Sequence, residues 1–358
     1  MLTAEGCRQR RLRLWQQLPH WPEGDSVTLG DPLHLAYLAG FHVDPISLNA
    51  GFGGVVVVSR DGRARLFHDD RLKAAAAAAH VDERTQLPWY DGQSPGRGPR
   101  QLALADTIHR CHDRPGDALA GELVTALAQM RRQKDPDEID LLRRCMRVTE
   151  VGHAWARANI RPGMTEIDVY NGVAAACNQA AGKAVIVYGD FAVCPGPERR
   201  GGAATGRVLE PGDLFILDYS VVIDNYRSDF TNTLVVGKEP NADQRRLFDL
   251  CCQAMTAGEN ELRAGAACLE VYNAVRGVFE RAGVADAFPH HAGHGLGLTH
   301  PEAPFFVRQA NETLLAGDVV TLEPGLYLAG IGGIRIEHNY LITNTGFERL
   351  SNHVIALR

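Results

Sequence analysis

The chain has 358 residues, 45% of them hydrophobic and 22% charged, with a formal net charge of −6. That length allows two domains and a sizeable core, and the composition is ordinary for a soluble globular protein. The acidic balance excludes the basic footprint of nucleic-acid binding, and the alanine run at 74–79 is far short of the roughly 20 apolar residues that a membrane span needs.

Taken in chain order, Arg8, Arg10, Arg11 and Arg13 come first and read as a solvated helix face. Charges from Glu5 onward interrupt the apolar stretch that a signal peptide would carry. The eight cysteines (Cys7, Cys111, Cys145, Cys177, Cys194, Cys251, Cys252 and Cys268) form no C-x-x-C pair. They read as reduced core residues, so a cytoplasmic protein is expected. Residues 54–58 read as a buried strand, Ser59-Arg60-Asp61-Gly62 as a turn, and residues 64–67 as the return strand. Residues 91–100, rich in Gly, Pro and Arg, read as an exposed loop. Asp135-Pro136-Asp137-Glu138 predicts a helix start: Asp135 caps, Pro136 fits the first helical position, and Glu138 closes a capping-box-like arrangement. Ile139, Leu142, Cys145, Met146 and Val148 supply its apolar face. This helix marks the expected boundary between a smaller α/β domain (1–130) and a second domain (131–358).

The second domain carries an internal repeat. Ile160-Arg161-Pro162-Gly163 through Val169-Tyr170-Asn171-Gly172-Val173 matches Leu262-Arg263-Ala264-Gly265 through Val271-Tyr272-Asn273-Ala274-Val275 at an offset of 102 residues. Gly212-Asp213 leads to Asp218 as Gly317-Asp318 leads to Glu323, at an offset of 105. Each unit reads as helices followed by antiparallel strands. The expectation is a pseudo-symmetric α+β domain with a ligand site where the halves meet.

The chemistry concentrates in those units. An apolar strand ends on Asp218, and Asp229 follows eleven residues later, with Asp224-Asn225 as the turn between them. Glu323 and Glu337 flank a glycine-rich turn near Gly330 in the second unit. Any one of these acids taken alone would read as an exposed residue at a strand end. One buried pair could share a proton, but two pairs at matching places point to divalent cations. Gly293-His294-Gly295-Leu296-Gly297 offers the remaining ligand, with glycines that permit close backbone approach; its spacing is not that of a nucleotide loop. Four oxygen donors and one nitrogen suit Mn²⁺, Co²⁺, Fe²⁺ or Zn²⁺. Two such ions, roughly 3.5 Å apart, would activate a bridging water for attack on an amide or related C–N bond.

These motifs, in this order with Glu323-Pro324-Gly325 and Gly332-Gly333-Ile334-Arg335-Ile336-Glu337, resemble the pita-bread metallopeptidases. That superfamily includes methionine aminopeptidase, aminopeptidase P, prolidase and the non-metal creatinase. Upstream, Tyr37-Leu38-Ala39-Gly40-Phe41 is similar to a segment of the N-terminal domain in the prolidase and creatinase branch. Lys134-Asp135-Pro136-Asp137-Glu138-Ile139 resembles that branch's entry into the catalytic domain. The resemblance implies a pita-bread catalytic domain behind a creatinase-like N-terminal domain, and a homodimer. It implies Asp218 as a ligand of one ion, Asp229 and Glu337 as bridges, and His294 and Glu323 as ligands of the other, with Glu323 also moving a proton. It places His290 on substrate and Arg335 beside the bridging glutamate, where it orients that residue or touches substrate.

Three departures concern substrate handling. A pocket histidine expected about eleven residues before Gly212-Asp213 is absent, and Glu198-Arg199-Arg200-Gly201-Gly202 stands there instead; those arginines suit a substrate carboxylate. Pro301 replaces a histidine seven residues after His294, with His300 one position early and Glu302 in place. Asn232 replaces an arginine common after the second aspartate. The leading expectation is cleavage of Xaa-Pro or similar bonds in short peptides. The alternatives are a metal enzyme acting on a small non-peptide C–N substrate or as a lyase, and a non-catalytic binding protein of the same fold.

Overall fold

A computed structural model describes residues 1–22, 24–44, 46, 53–87 and 110–358; the loop expected at 91–100 lies outside the described residues. The chain divides into two compact units, Met1–Arg131 with Asp135–Leu141, and Arg132–Lys134 with Leu142–Arg358. Among the described residues, no helix is long and apolar enough to cross a membrane.

In the first unit, strands β1 (Ser26–Leu29), β2 (Gly54–Ser59) and β3 (Ala64–Asp69) pair antiparallel, and β4 (Glu83–Leu87) adds parallel to β3. The β2–β3 hairpin predicted around Gly62 closes on Val58 opposite Ala64. Helix Ala4–Gln17 starts where the Thr3 side chain accepts from Gly6 N–H. Its arginines correct the expectation of a solvated face, because Arg10 and Arg11 are buried. The Arg10 guanidinium donates to the Tyr37 carbonyl, Asp135 and Asp137, and Arg11 donates to the carbonyls of Gly62, Leu38 and His80. Carbonyls in turns and in the last turn of helix Pro32–Ala39 are satisfied by planar donors from the first helix, a role that charge spacing alone does not reveal. The Asp135 backbone N–H donates to Glu138 at 2.9 Å, as the capping-box reading expects.

The second unit contains the repeat. Helices Glu166–Ala181 and Cys268–Arg281 occupy matching places, each opened by an isolated bridge, Thr165 with Val208 and Ala267 with Thr313. Gly212 and Gly317 adopt φ of 98° and 96°, a conformation that glycine enters without a Cβ penalty. The aspartate after each closes the same local turn: Asp213 accepts from Glu210 N–H and Asp318 from Leu315 N–H. Those turns launch β6 (Leu214–Ile223) and β11 (Val319–Leu322). In the first half β6 pairs with β5 (Ile186–Val193), β7 (Tyr226–Arg227) and β8 (Phe230–Val235). In the second half β9 (Gly293–Gly295), β10 (Glu302–Phe306), β11, β14 (His338–Ile342) and β15 (Phe347–Arg349) form a sheet in the order β10-β9-β11-β14-β15. Strands β12 (Gly325–Leu328) and β13 (Gly332–Arg335) form a separate hairpin.

All eight cysteines are free, and all but Cys252 are buried, in keeping with their reading as core residues. Asn232, at the arginine position noted above, donates to the Ala356 carbonyl and accepts from Ala356 N–H, tying the C-terminal segment to β8.

The buried Arg10–Asp137 pair gives a direct test of the first unit. Arg10→Ala leaves a carboxylate buried without its cation, and should lower stability by about 3–5 kcal/mol in denaturant unfolding. A double-mutant cycle with Asp137→Ala should give a coupling above about 1 kcal/mol; additive effects would show that the pair does not act as a unit.

Candidate metal centre

The strand registers bring the predicted acids together. Asp218 sits in mid-β6, opposite Asp190 on β5 and Thr231 on β8. Asp229 lies one residue before β8 and so stands diagonal to Asp218. Leu322 at the end of β11 pairs with His338 at the start of β14, which sets Glu323 and Glu337 at the adjoining position. The outcome is that Asp218, Asp229 and Glu337 each offer an oxygen within 4.8 Å of the others. Backbone bonds fix these positions. The Asn339 side chain bonds both the N–H and the carbonyl of Asp229, and Glu337 N–H donates to Thr231 O at 3.0 Å.

His294 arrives from β9, between β10 and β11. Its Nδ1 lies 2.9 Å from the Gly295 carbonyl, which can only accept, so Nε2 carries the free lone pair. That Nε2 is 3.5 Å from Asp229 Oδ2 and 3.4 Å from Glu323 Oε1. The glycines beside it serve strand packing rather than approach to an ion. A Cβ at Gly293 would stand 2.2 Å from Thr321 O, and one at Gly295 would stand 2.1 Å from Ala303 O.

Glu337 supplies the test of whether these residues fit a cation. It is 1% exposed, its Oε2 accepts from Thr231 Oγ1 at 2.7 Å, and its Oε1 is buried with no hydrogen-bond partner. Burial, reinforced by the charges of Asp229, Glu323 and Asp218, pushes its carboxyl well above the usual range. Burial likewise pushes Asp218 up to about 7 against the pull of Arg335. An orphaned buried carboxylate oxygen among three more acids is the environment that a divalent cation satisfies.

Arg335 departs from the expected role. Its Nε and Nη2 donate to Asp218, Nη2 also to Asp190, and Nη1 to Tyr327 OH and Arg200 O. Its five N–H groups are therefore committed to protein acceptors. That leaves none for substrate, and it bonds neither oxygen of Glu337; it positions Asp218 instead. Arg199 is corrected in the same way, because its two Nη atoms each lie 2.8 Å from an oxygen of buried Glu166. Arg200 remains exposed, over the Tyr327 ring at 5.9 Å.

The histidines sort differently. His300 does reach the site, with Nε2 2.6 Å from Asp229 Oδ2. His290 lines the same cavity, its Nδ1 donating to His291 O and its Nε2 3.2 Å from Tyr327 OH. Burial lowers its pKa to about 4, so the ring is neutral near pH 7. Two participants escape a reading of the sequence. Asp190 is a lone acid in an apolar strand whose relation to Asp218 depends on the β5–β6 register. His291, grouped with His290 as a polar loop, places Nε2 3.0 Å from Glu323 Oε1. These residues, with Asp190, Arg200 and Tyr327, line a cavity of about 570 Å³.

Duplicated helix-and-strand halves that converge four acids and a histidine on one cavity define the pita-bread class of metal-dependent hydrolase. The chain belongs to metallopeptidase family M24, whose model matches residues 140–344, and it is an enzyme of that metallopeptidase class. A curated relative, an uncharacterized peptidase of Staphylococcus aureus, is 25% identical over 350 residues, covering 92% of this chain and 95% of its own. Among solved structures, the Xaa-Pro dipeptidase from Bacillus anthracis superposes with a TM-score of 0.77 at 24% identity, covering 98% of this chain and 99% of its own. Zn-substituted E. coli aminopeptidase P in complex with product superposes with a TM-score of 0.70 at 19% identity, covering 99% and 96%. At these identities the two structures establish the shared fold, N-terminal domain included.

Protonated carboxyls predict two outcomes. Divalent ions must displace the protons on Asp218 and Glu337. Calorimetric titration of Mn²⁺ or Zn²⁺ at pH 6 in buffers of different ionisation heat should therefore report net proton release, with affinity rising toward pH 7–8; no net release would contradict these shifts. In metal-free protein the folded state holds protons that the unfolded state has lost between about pH 4 and 7, so stability should fall as pH rises through that window. Glu337→Gln should flatten this dependence in thermal melts, and an unchanged slope would remove Glu337 as its source.

Proposed function

We propose that the protein hydrolyses Xaa-Pro or similar bonds in short peptides, using two divalent ions (Mn²⁺, Co²⁺, Fe²⁺ or Zn²⁺) held by Asp218, Asp229, His294, Glu323 and Glu337. The observation that carries this reading is the unpartnered buried Oε1 of Glu337, a residue that groups with Asp218 and Asp229 as possible ligands of one ion. The names of structural neighbours, an Xaa-Pro dipeptidase and an aminopeptidase P, support the substrate class. When bound, divalent ions supply Lewis acidity to an attacking water and to the scissile carbonyl.

The protein's own groups do the rest. Glu323 Oε1 accepts from Thr321 Oγ1 at 3.1 Å, which fixes the carboxylate beside His294. Burial opposes its charge, but His291 and its other histidine neighbours outweigh that and hold the carboxyl well below the usual range. A carboxylate fixed there takes the proton of the attacking water and delivers it to the leaving nitrogen. Neutral His290 offers a polar ring edge to the peptide, and Arg335 holds Asp218 in its ligating orientation through Nε and Nη2.

A second reading, a small non-peptide C–N substrate or lyase chemistry, draws support from Arg200. It is the arginine of the Arg199-Arg200 pair that Glu166 does not claim, and it stands at the cavity wall where a substrate carboxylate would pair with it.

The deciding experiment is a hydrolysis panel of Xaa-Pro dipeptides, longer peptides and C–N metabolites, run in parallel with Mn²⁺, Co²⁺ and Zn²⁺. Turnover of an Xaa-Pro substrate is expected, and activity on metabolites with none on any peptide would favour the second reading. Glu323→Gln should reduce kcat by about 10²–10⁴, and undiminished turnover would end its assignment as proton carrier. Arg200→Ala should raise KM about 10- to 100-fold for substrates bearing a free carboxylate, with kcat little changed; equal KM values would remove it from recognition.

A further inference from the structure

Resting on the metal-centre reading above, we infer that the position at His294 is nitrogen-rich: His291 and His300 add their Nε2 atoms to the donor set of the ion that His294 holds, while the Asp218–Glu337 position stays all-oxygen.

The geometry is an arc of potential ligand atoms. His300 Nε2 lies 2.6 Å from Asp229 Oδ2, which lies 3.5 Å from His294 Nε2. His294 Nε2 lies 3.4 Å from Glu323 Oε1, which lies 3.0 Å from His291 Nε2. Two ligand groups share His294: Asp229, His294 and His300 on one side, and His291, His294 and Glu323 on the other. The neighbouring separations along the arc, 2.6, 3.5, 3.4 and 3.0 Å, all fall inside the roughly 4.4 Å that opposite donors at about 2.2 Å from one ion can span. The rings pack edge-on to His294, with centroids 5.3 Å away for His291 and 4.9 Å for His300.

His300 is held in place through its chain neighbours Thr299 and Glu302. Glu302 receives Lys134 Nζ at 2.8 Å and Thr299 Oγ1 at 2.8 Å, which anchors the turn from β9 into β10 with His300 directed at Asp229. On the other side, Asp218, Asp229 and Glu337 offer only oxygen. Imidazole suits Zn²⁺, Fe²⁺ and Ni²⁺, whereas carboxylates alone suit Mn²⁺ and Mg²⁺. The two positions therefore differ in kind, and a borderline ion fills the His294 position first.

Almost any mixed nitrogen and oxygen site prefers zinc to manganese, so the preference alone decides nothing; the ligand count does. Full-length protein, stripped and reloaded with one equivalent of Zn²⁺, should show three imidazoles around zinc by X-ray absorption. The His291→Ala, His300→Ala double variant should show one. Its first-site zinc affinity should fall by more than about 100-fold, beyond the 10–100-fold typical of a group outside the ligand set, while Mn²⁺ affinity falls less. Fewer than three imidazoles around fully bound zinc in the unmodified protein, or zinc affinity unchanged in the double variant, would overturn the assignment. If the unmodified protein binds no zinc at all, the metal centre itself is overturned, a result distinct from either of these.

Discussion

Four carboxylates repel one another in this protein, Asp218, Asp229 and Glu323 on the cavity wall and Glu337 buried near them, and that repulsion is the condition that the surrounding structure answers. Asp218 is answered by the fork of Arg335, and Asp229 and Glu323 by imidazoles. Glu337 has only a hydroxyl on one oxygen and nothing on the other. That residual imbalance explains why the carboxyl shifts run in opposite directions within a few ångströms, with Glu337 driven up and Glu323 driven down. Compensation of this kind has to be rigid, since a buried acid that loses its partner costs several kcal/mol. Each acid is accordingly fixed within a strand, as Asp218 is, or beside a strand end by backbone bonds that do not depend on the ion.

The remaining packing serves this rigidity. Val271, Val275 and Phe279 on helix Cys268–Arg281 join Val320, Leu322, Leu326 and Ile334 in one apolar cluster, which holds the strands bearing Glu323 and Arg335. On the opposite half, Phe215, Leu217 and Tyr219 are fully buried around Asp218. Apolar strands with a single inward carboxylate give the acid low mobility and low dielectric at once. Both strengthen its pull on a cation.

Much of this is legible in the amino-acid sequence. Asp218 stands out as the acid that follows an apolar run, although its strand continues to Ile223 rather than ending there, and Asp229, His294, Glu323 and Glu337 stand out beside turns and glycines. The repeat makes their pairing legible too, since Gly212 and Gly317 announce the same turn twice. The hidden part is decided by register and by long-range partners. Asp190 means nothing until β5 is aligned on β6. Whether His300 reaches Asp229 depends on the Lys134–Glu302 contact across more than 150 residues of chain. Arg10, Arg11, Arg199 and Arg335 mislead for a common reason. A charged residue in a polar pattern looks the same in sequence whether it faces water or a buried acceptor, and only the acceptor distinguishes them.

The two halves also divide the labour of the site by chemical type. The first half contributes Asp190, Asp218 and Asp229 together with Arg199 and Arg200. The second half contributes Glu323, Glu337 and every histidine on the cavity wall, namely His290, His291, His294 and His300. A duplication that began with two equivalent turns has thus produced one half whose candidate donors are all oxygen and another that supplies every nitrogen donor on the cavity wall. The matching turns at Gly212 and Gly317 build the scaffold twice, but Arg335 on Asp218, Thr231 on Glu337 and His300 on Asp229 tie the side chains of each half to the acids of the other. A change of metal or substrate at such a centre therefore calls for paired substitutions, one in each half.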